Sequence, residues 1–261
     1  MINSESPQIF EQNRDEMTKA ILKSTTGGQD NFLSWFNRAA SLEESVIRGA
    51  WDFSFYFASP EVCRYMEKPE EKTCLEIGYG GGRLLNASRN FFKFSHGIDV
   101  HPYNEQVRDL LLQQRPEEDF TLHNLSSNVL PFPDASIDYA YSFIVIQHFY
   151  SHQIFETYLD ELQRIIAPGG LVNLYFADLW RYPGKCNRNW FKSLFGGVLE
   201  ESAPPDEHTA YNTLWMTSRH VRSLLKRKCF FPLSVRKSFK RIPDGYPDIN
   251  GQQSGILAIR N

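Results

Sequence analysis

Cys74-Leu75-Glu76-Ile77-Gly78-Tyr79-Gly80-Gly81-Gly82-Arg83 is the stretch that decides the fold. A short apolar run ends in an acidic residue and then breaks into glycines at alternate positions. A buried strand that turns sharply into a helix has this form. Glycine permits the backbone angles of the turn and lets a ligand approach the main chain closely. The stretch therefore predicts a nucleotide-type pocket at the carboxyl edge of a parallel sheet.

Working outward, strand and helix alternate. Thr73–Ile77 reads as a first buried strand and Gly82–Phe92 as a helix. Ser95–Asp99 is a second strand, Asn104–Gln114 a second helix and Phe120–His123 a third strand. Ile137–Phe143 is apolar on both faces, as in mid-sheet. His152–Ile166 carries Ile154, Phe155, Tyr158, Leu159, Leu162 and Ile165 at helical spacing, and Pro168-Gly169-Gly170 is expected to stop it. Leu171–Phe176 is a fifth strand. Such alternation means a parallel sheet with helices on both faces. Ser218–Lys228 reads as a helix. Leu233–Phe239 and Gly255–Ile259, joined by a loop over 241–253, read as an antiparallel pair at the sheet's end.

Residues 1–72 read as an N-terminal helical cap or lid, expected to roof the pocket together with segment 177–217. One helix is expected from Ser6 through Leu22, a loop over 25–30, then helices over 31–40 and 42–57. The last shows Val46, Ile47, Trp51 and Phe55 at helical spacing. Residues 73–261 form the main domain. Its segment 177–217 is long, rich in aromatics and without a clear period, as a lid or functional loop would be. Trp180, Tyr182, Trp190, Phe191, Phe195, Tyr211 and Trp215 lie in it. Packing accounts for such a set, and a wall for an apolar or cyclic acceptor is the sharper alternative.

The chain has 261 residues, 41% hydrophobic and 23% charged, which suffices for a sizeable core. A net charge of −3 gives no global field for nucleic acid. The late basic cluster, from Arg219 to Arg241, reads as a solvated helix face and an edge strand, with a phosphate-contacting surface as the alternative. The polar N-terminus has no apolar signal region, and no run approaches the ~18 apolar residues of a membrane span. The four cysteines form no CxxC pair, so reduced thiols in a cytoplasmic protein are expected, with no metal site.

Several of these stretches together resemble the class I S-adenosylmethionine-dependent methyltransferases. Leu75 to Gly82 is similar to the family's first motif, an acidic residue followed by GxGxG. Gly97-Ile98-Asp99 resembles the end of its second strand, and Leu130 to Asp138 the run into its fourth. Gln147-His148-Phe149 stands where the family often has a polar-His element, and Leu162 to Gly170 resembles the approach to its fifth strand. The resemblance implies a Rossmann-like, seven-stranded, mostly parallel α/β sheet with an antiparallel last strand. It implies that S-adenosylmethionine is held by Glu76, Gly78, Tyr79, Gly80 and Gly82, by Asp99 and Val100, by Ser126 and Ser127, and by Ser142 and Phe143. Asp99, placed to end the neighbouring strand, has a carboxylate that can accept both ribose hydroxyls. The family's usual acid after the third strand is missing: His123-Asn124-Leu125-Ser126-Ser127-Asn128 stands there.

Methyl transfer from a sulfonium needs alignment above all, and a base where the acceptor is a hydroxyl. His148, after the fourth strand, is the first candidate. His208, beside Asp206 and Tyr211, is the second, and Asp178 is placed to orient either. The expected function is methylation of a small-molecule acceptor, a metabolite or sugar, most simply at a hydroxyl oxygen, with a homodimer as a possible assembly. No Asn-Pro-Pro-Tyr-like motif or Pro-Cys pair points to nucleic-acid bases. A non-catalytic partner or sensor that binds the cofactor is one alternative. An NAD-dependent oxidoreductase is the other, opposed by Arg83 where a dinucleotide fingerprint wants a small residue.

Overall fold

A computed structural model describes residues 6–26, 29–183, 193–202, 212–238 and 253–261. Cys186, Trp190, Phe191, Asp206, His208 and Tyr211 lie outside the described residues.

Five parallel strands carry the pocket: β1 (Thr73–Ile77), β2 (Phe94–Asp99), β3 (Phe120–Asn124), β4 (Ile137–Ser142) and β5 (Ile166–Asp178), side by side in the order β3-β2-β1-β4-β5. β9 (Gln253–Arg260) pairs antiparallel with β5, and β8 (Phe230–Lys237) pairs antiparallel with β9. These seven strands match the expected core. The sheet nevertheless has nine strands. The additional two, β6 (Val198–Glu200) and β7 (Leu214–Met216), form a short hairpin inside the segment that shows no period. Ala177 pairs with Trp215 on one side and with Gln253 on the other. β7 therefore lies on the edge of β5 that β4 covers lower down, beyond the end of β4 at Ser142. That puts the hairpin at the carboxyl edge of the sheet.

Side chains alternate across the sheet, as the period of two requires. Leu75, Ile77, Ala140, Val172, Leu174 and Phe176 face α7 (His152–Ile165), α8 (Ser218–Arg227) and α1 (Ser6–Thr25). Tyr139, Tyr141, Leu171 and Tyr175 face α3 (Leu42–Tyr56) and α5 (Arg83–Ser88). That second face is aromatic: Phe57 and Tyr141 lie 4.7 Å apart between ring centres, and Tyr56 and Tyr175 5.2 Å. Its polar members are satisfied, since Asn173 Nδ2 donates to the Tyr56 carbonyl at 2.9 Å and to Tyr139 Oη at 3.2 Å.

Several local expectations are corrected. α7 ends at Ile165, three residues before Pro168, because Ile166 already pairs with Ile137 in the sheet. α5 is only six residues long. α3 is turned from its expected face: Ile47 and Trp51 are exposed, while Ser45, Gly49, Asp52, Phe53 and Tyr56 are buried. Gly49 lies against the Arg83 carbonyl, where any β-carbon would collide, and Asp52 pairs with Arg83. This close approach to α5 sets the rotation of α3. After α2 (Gln29–Phe32) the chain widens into a π turn over Leu33–Asn37 that Arg38 ends in the left-handed region, where an unbroken helix over 31–40 is expected. Between them lie α4 (Pro60–Tyr65) and, on the far edge, α6 (Asn104–Gln114).

Candidate functional site

The site begins where β1 breaks. Gly78 N–H donates to the Ile98 carbonyl at 2.8 Å, which ties the loop to the tip of β2. Gly78 has φ +76°, and the Val145 side chain fills the space a β-carbon would need. Gly80 N–H donates to Asp99 Oδ2 at 2.8 Å, while Val100 N–H donates to Asp99 Oδ1 at 2.7 Å. One carboxylate thus fixes the glycine loop and its own strand tip. Each oxygen keeps a second lone pair for a ligand.

His101, which the sequence pattern does not single out, is fully buried beside this carboxylate. Tyr103 N–H donates to its Nδ1 at 3.2 Å. The ring proton is therefore on Nε2, which donates to the Gly80 carbonyl at 3.0 Å, with Asp99 Oδ2 at 3.5 Å. Phe36 and Tyr79 pack on the imidazole, each 4.9 Å away between ring centres. A buried neutral histidine here braces the loop. The one available signal is its position two residues past the strand-ending acid.

Glu76 closes the floor. It is 3% exposed, and Tyr141 Oη donates to its Oε2 at 3.3 Å. Burial pushes its carboxyl well above the usual range, against the opposing pull of Arg83. A cation entering beside Glu76 would recover the ionised form.

These groups line a cavity of about 740 Å³, within the usual range for ligand sites. Its floor is Glu76, Gly78, Gly80, Asp99 and Val100. Its far end holds Phe143, His148, Phe149, Ile154 and Tyr158. Its roof comes from the N-terminal segment: Phe10, Asn13, Arg14 and Met17 of α1, and Trp35 to Arg38 of the π turn and its cap. Asn13 Nδ2 donates to the His148 carbonyl at 3.1 Å, and Arg14 Nη1 to the Ser126 carbonyl at 2.6 Å, so α1 is tied down at both ends of the pocket.

The structure brings together Glu76, Gly78, Tyr79, Gly80, Asp99, Val100, Phe143 and His148. Other expected residues stand elsewhere. Gly82 is the N-cap of α5. Ser142 is buried and donates to the Ile77 carbonyl at 3.1 Å, bracing β4 on β1. Ser126 and Ser127 are exposed, and Leu125 takes the lining position beside them. Asp178 does not line the cavity. Its Oδ1 caps Trp180 N–H, and its Oδ2 takes Lys237 and Ser254, so the carboxylate anchors β8 and β9 away from the cavity. His208 lies outside the described residues. None of the described residues of segment 177–217 lines the cavity, and residues 184–192 and 203–211 lie outside the described ones. Tyr182 and Trp215 pack instead with Ala177 and Leu179 in a separate cluster, and Trp180 and Phe195 are exposed.

His148 sits in a short polar chain. Gln253 Nε2 donates to Gln147 Oε1, and Gln147 Nε2 donates to His148 Nε2 at 3.1 Å. In this tautomer the Nε2 lone pair accepts from Gln147 and the ring proton is on Nδ1.

The chain matches a family model described as a methyltransferase domain over residues 75–174. It is 28% identical over 130 residues, 49% of this chain, to a Mycolicibacterium smegmatis protein described as "Probable S-adenosylmethionine-dependent methyltransferase". It spans about half, 48%, of that relative's length. Solved structures share the fold. A Methanosarcina mazei S-adenosylmethionine-dependent methyltransferase has a TM-score of 0.55 at 17% identity, over 77% of this chain and 97% of that one. A Pyrococcus horikoshii protein reaches 0.58 at 16% identity, over 90% and 100%. A chain from the Haloferax volcanii complex of a methyltransferase with the Trm112 methyltransferase activator reaches 0.56 at 14%, over 94% and 96%. The glycine loop, Glu76 and the Asp99 carboxylate suit the amino-acid and ribose ends of S-adenosylmethionine, and the chain is similar over residues 75–174 to a methyltransferase domain and over 130 residues to a relative described as dependent on that cofactor.

Proposed function

We propose that this protein methylates a small-molecule acceptor, at a hydroxyl oxygen, with His148 receiving the proton. One observation carries the reading. A single covered cavity runs from the cofactor loop at Gly78 and Asp99 to His148 and its aromatic neighbours beneath α1. A pocket with an apolar wall and one convergent imidazole suits a compact acceptor.

S-adenosylmethionine, when bound, supplies an electrophilic methyl group: the sulfur–carbon bond breaks as the oxygen–carbon bond forms, and sulfur leaves as a neutral thioether. The protein's contribution is position and proton uptake. Asp99 would hold the ribose hydroxyls with its remaining lone pairs, and Glu76 would meet the ammonium directly or through water. Phe143, Phe149 and Tyr158 exclude water from the acceptor end. His148 Nε2 takes the acceptor's proton once the acceptor hydroxyl replaces Gln147 Nε2 as its hydrogen-bond donor. Free thiols at Cys63, Cys74 and Cys229 support a reducing, cytoplasmic setting.

The test is incubation of the purified protein with S-adenosylmethionine labelled on its methyl group, in the presence of a cell extract. Label in the small-molecule fraction, lost in His148→Ala, supports the proposal. Label confined to nucleic acid or protein overturns the acceptor class. Tight cofactor binding without transfer points to the sensor alternative.

A further inference from the structure

Tyr158 carries a hydroxyl that the fold does not use. The residue lies on the buried face of α7, 5% exposed, and lines the cavity. A buried tyrosine hydroxyl ordinarily has a hydrogen-bond partner. Among the described residues the other tyrosine that lines the cavity is Tyr79, and it donates to Asn104 Oδ1. Tyr158 Oη has no such partner among the described residues, and it is not one of the unpaired polar atoms sealed from solvent. It therefore opens into the cavity. The ring stacks on Phe149, with 5.2 Å between ring centres and 18° between planes. Burial raises the phenol pKa, and the Asp99 charge raises it further. That charge acts over a limited distance, so the ring rests at the His148 end while the hydroxyl points back toward Asp99.

The surroundings say what could meet it. Leu125 N–H donates to the Asp99 carbonyl at 2.8 Å, which sets Leu125 beside the tip of β2. Leu130 N–H donates to Glu161 Oε2 at 2.7 Å, so the turn of α7 that carries Tyr158 packs along the connection after β3. Glu76, Asp99 and Leu125 thus stand in order on or just past the neighbouring strands β1, β2 and β3. With the amino-acid end of the cofactor at Glu76 and its ribose at Asp99, the base falls beyond them, between Val100 and Leu125. Apolar side chains there suit a flat ring. The amino group of a purine still needs an acceptor once it is buried. Acceptors are scarce: Asn124, Ser126 and Ser127 do not line the cavity, and the Ser126 carbonyl already takes Arg14 at 2.6 Å. The Tyr158 oxygen is an open acceptor on this side.

We infer that the purine amino group of the cofactor donates to Tyr158 Oη, so that a tyrosine of α7 selects a base bearing an amino group. The inference rests on the reading of S-adenosylmethionine as the cofactor. The hydroxyl then gains its partner only in the bound state.

Calorimetry with two ligands tests this: S-adenosylhomocysteine, and its analogue with hydrogen in place of the purine amino group. The wild-type protein is expected to prefer S-adenosylhomocysteine about 3- to 10-fold, the scale of one neutral hydrogen bond. In Tyr158→Phe the preference is expected to shrink to within about twofold, because S-adenosylhomocysteine weakens and the analogue does not. The melting temperature of the free variant should equal or exceed that of wild type, since the hydroxyl has no bond to lose. A clear fall in that temperature would reveal a partner within the protein and overturn the inference. So would a wild-type protein without a preference, a result that needs no variant. Equal weakening of both ligands in Tyr158→Phe overturns it too, because Tyr158 then only shapes the slot. A preference kept in full by the variant assigns the amino group to another acceptor and has the same consequence. A wild-type protein that binds neither ligand overturns the cofactor reading beneath it.

Discussion

Asp99 Oδ2 and the Gly80 amide nitrogen stand 2.8 Å apart, so the carboxylate that ends β2 also fixes the loop that ends β1. The two strand tips form one unit. In Asp99→Asn one oxygen remains to serve two N–H groups and a ligand. S-adenosylhomocysteine affinity is expected to fall about 10- to 100-fold by calorimetry, with the urea midpoint reduced by roughly 1–3 kcal/mol of stability. An affinity within twofold of wild type would remove Asp99 from the site.

Glu76 offers a test with opposite signs for stability and binding. Its folded pKa is raised by burial, so its contribution to stability is present below the ordinary value of 4.5 and is lost as pH rises through the folded value. Glu76→Gln has no charge to bury. The melting temperature of the free variant is expected to gain on wild type as pH increases from about 4.5 to 8, while S-adenosylhomocysteine binds more weakly. Melting curves that run parallel across this range would show that Glu76 stays ionised without cost.

The Asp52–Arg83 pair joins α3 to the first turn of α5, with side chains only 3% and 9% exposed. Asp52→Asn leaves a buried guanidinium without its carboxylate. A loss of about 3–5 kcal/mol is expected in chemical denaturation, since breaking one side of a buried pair exposes the full desolvation cost of the other. A loss under ~1 kcal/mol would mean that water reaches Arg83.

His152 and Glu200 link the N-terminus of α7 to β6, with Nδ1 and Oε1 2.6 Å apart. The hydrogen bond to Glu200 raises the His152 pKa, against burial. Burial opposes the Glu200 shift, but the bonds from His152 and Ser151 hold its pKa below the ordinary value. The His152 contribution is complete below 6.5 and lost as pH rises through its folded pKa. The Glu200 contribution is present above 4.5 and lost as pH falls through its own. In an NMR titration the His152 ring is expected to titrate above 6.5 in wild type and lower than that in Glu200→Gln, where burial remains with only the Glu156 charge to oppose it. Identical titration in the two proteins would separate the pair.

Local chemistry made part of this molecule legible. The run Leu75 to Gly82 reads as strand, turn and helix start because glycine angles and strand period act within ten residues. Asp99 could be found because strand tips repeat at a regular distance along the chain. The face of α3 was misread because its apolar period points to Ile47 and Trp51, whereas the close contact of Gly49 with Arg83 and the Asp52 pair turn it elsewhere. Asp178 stands at a strand end, as a catalytic acid might, but Lys237 and Ser254 reach it from β8 and β9, elements far along the chain.

By itself, then, the sequence determined the parallel core, the glycine loop and the acid that faces it, since these follow from period and turn chemistry. Only the tertiary structure decided which side chains of the N-terminal cap reach the pocket. α1 and the π turn supply Phe10, Asn13, Arg14 and Met17, and Trp35 to Asn37. Neither Arg14 nor Asn37 carries a local signal. Their roles come from long-range contacts, Arg14 with Ser126 and Asn37 with Gly81, that no period along the chain encodes.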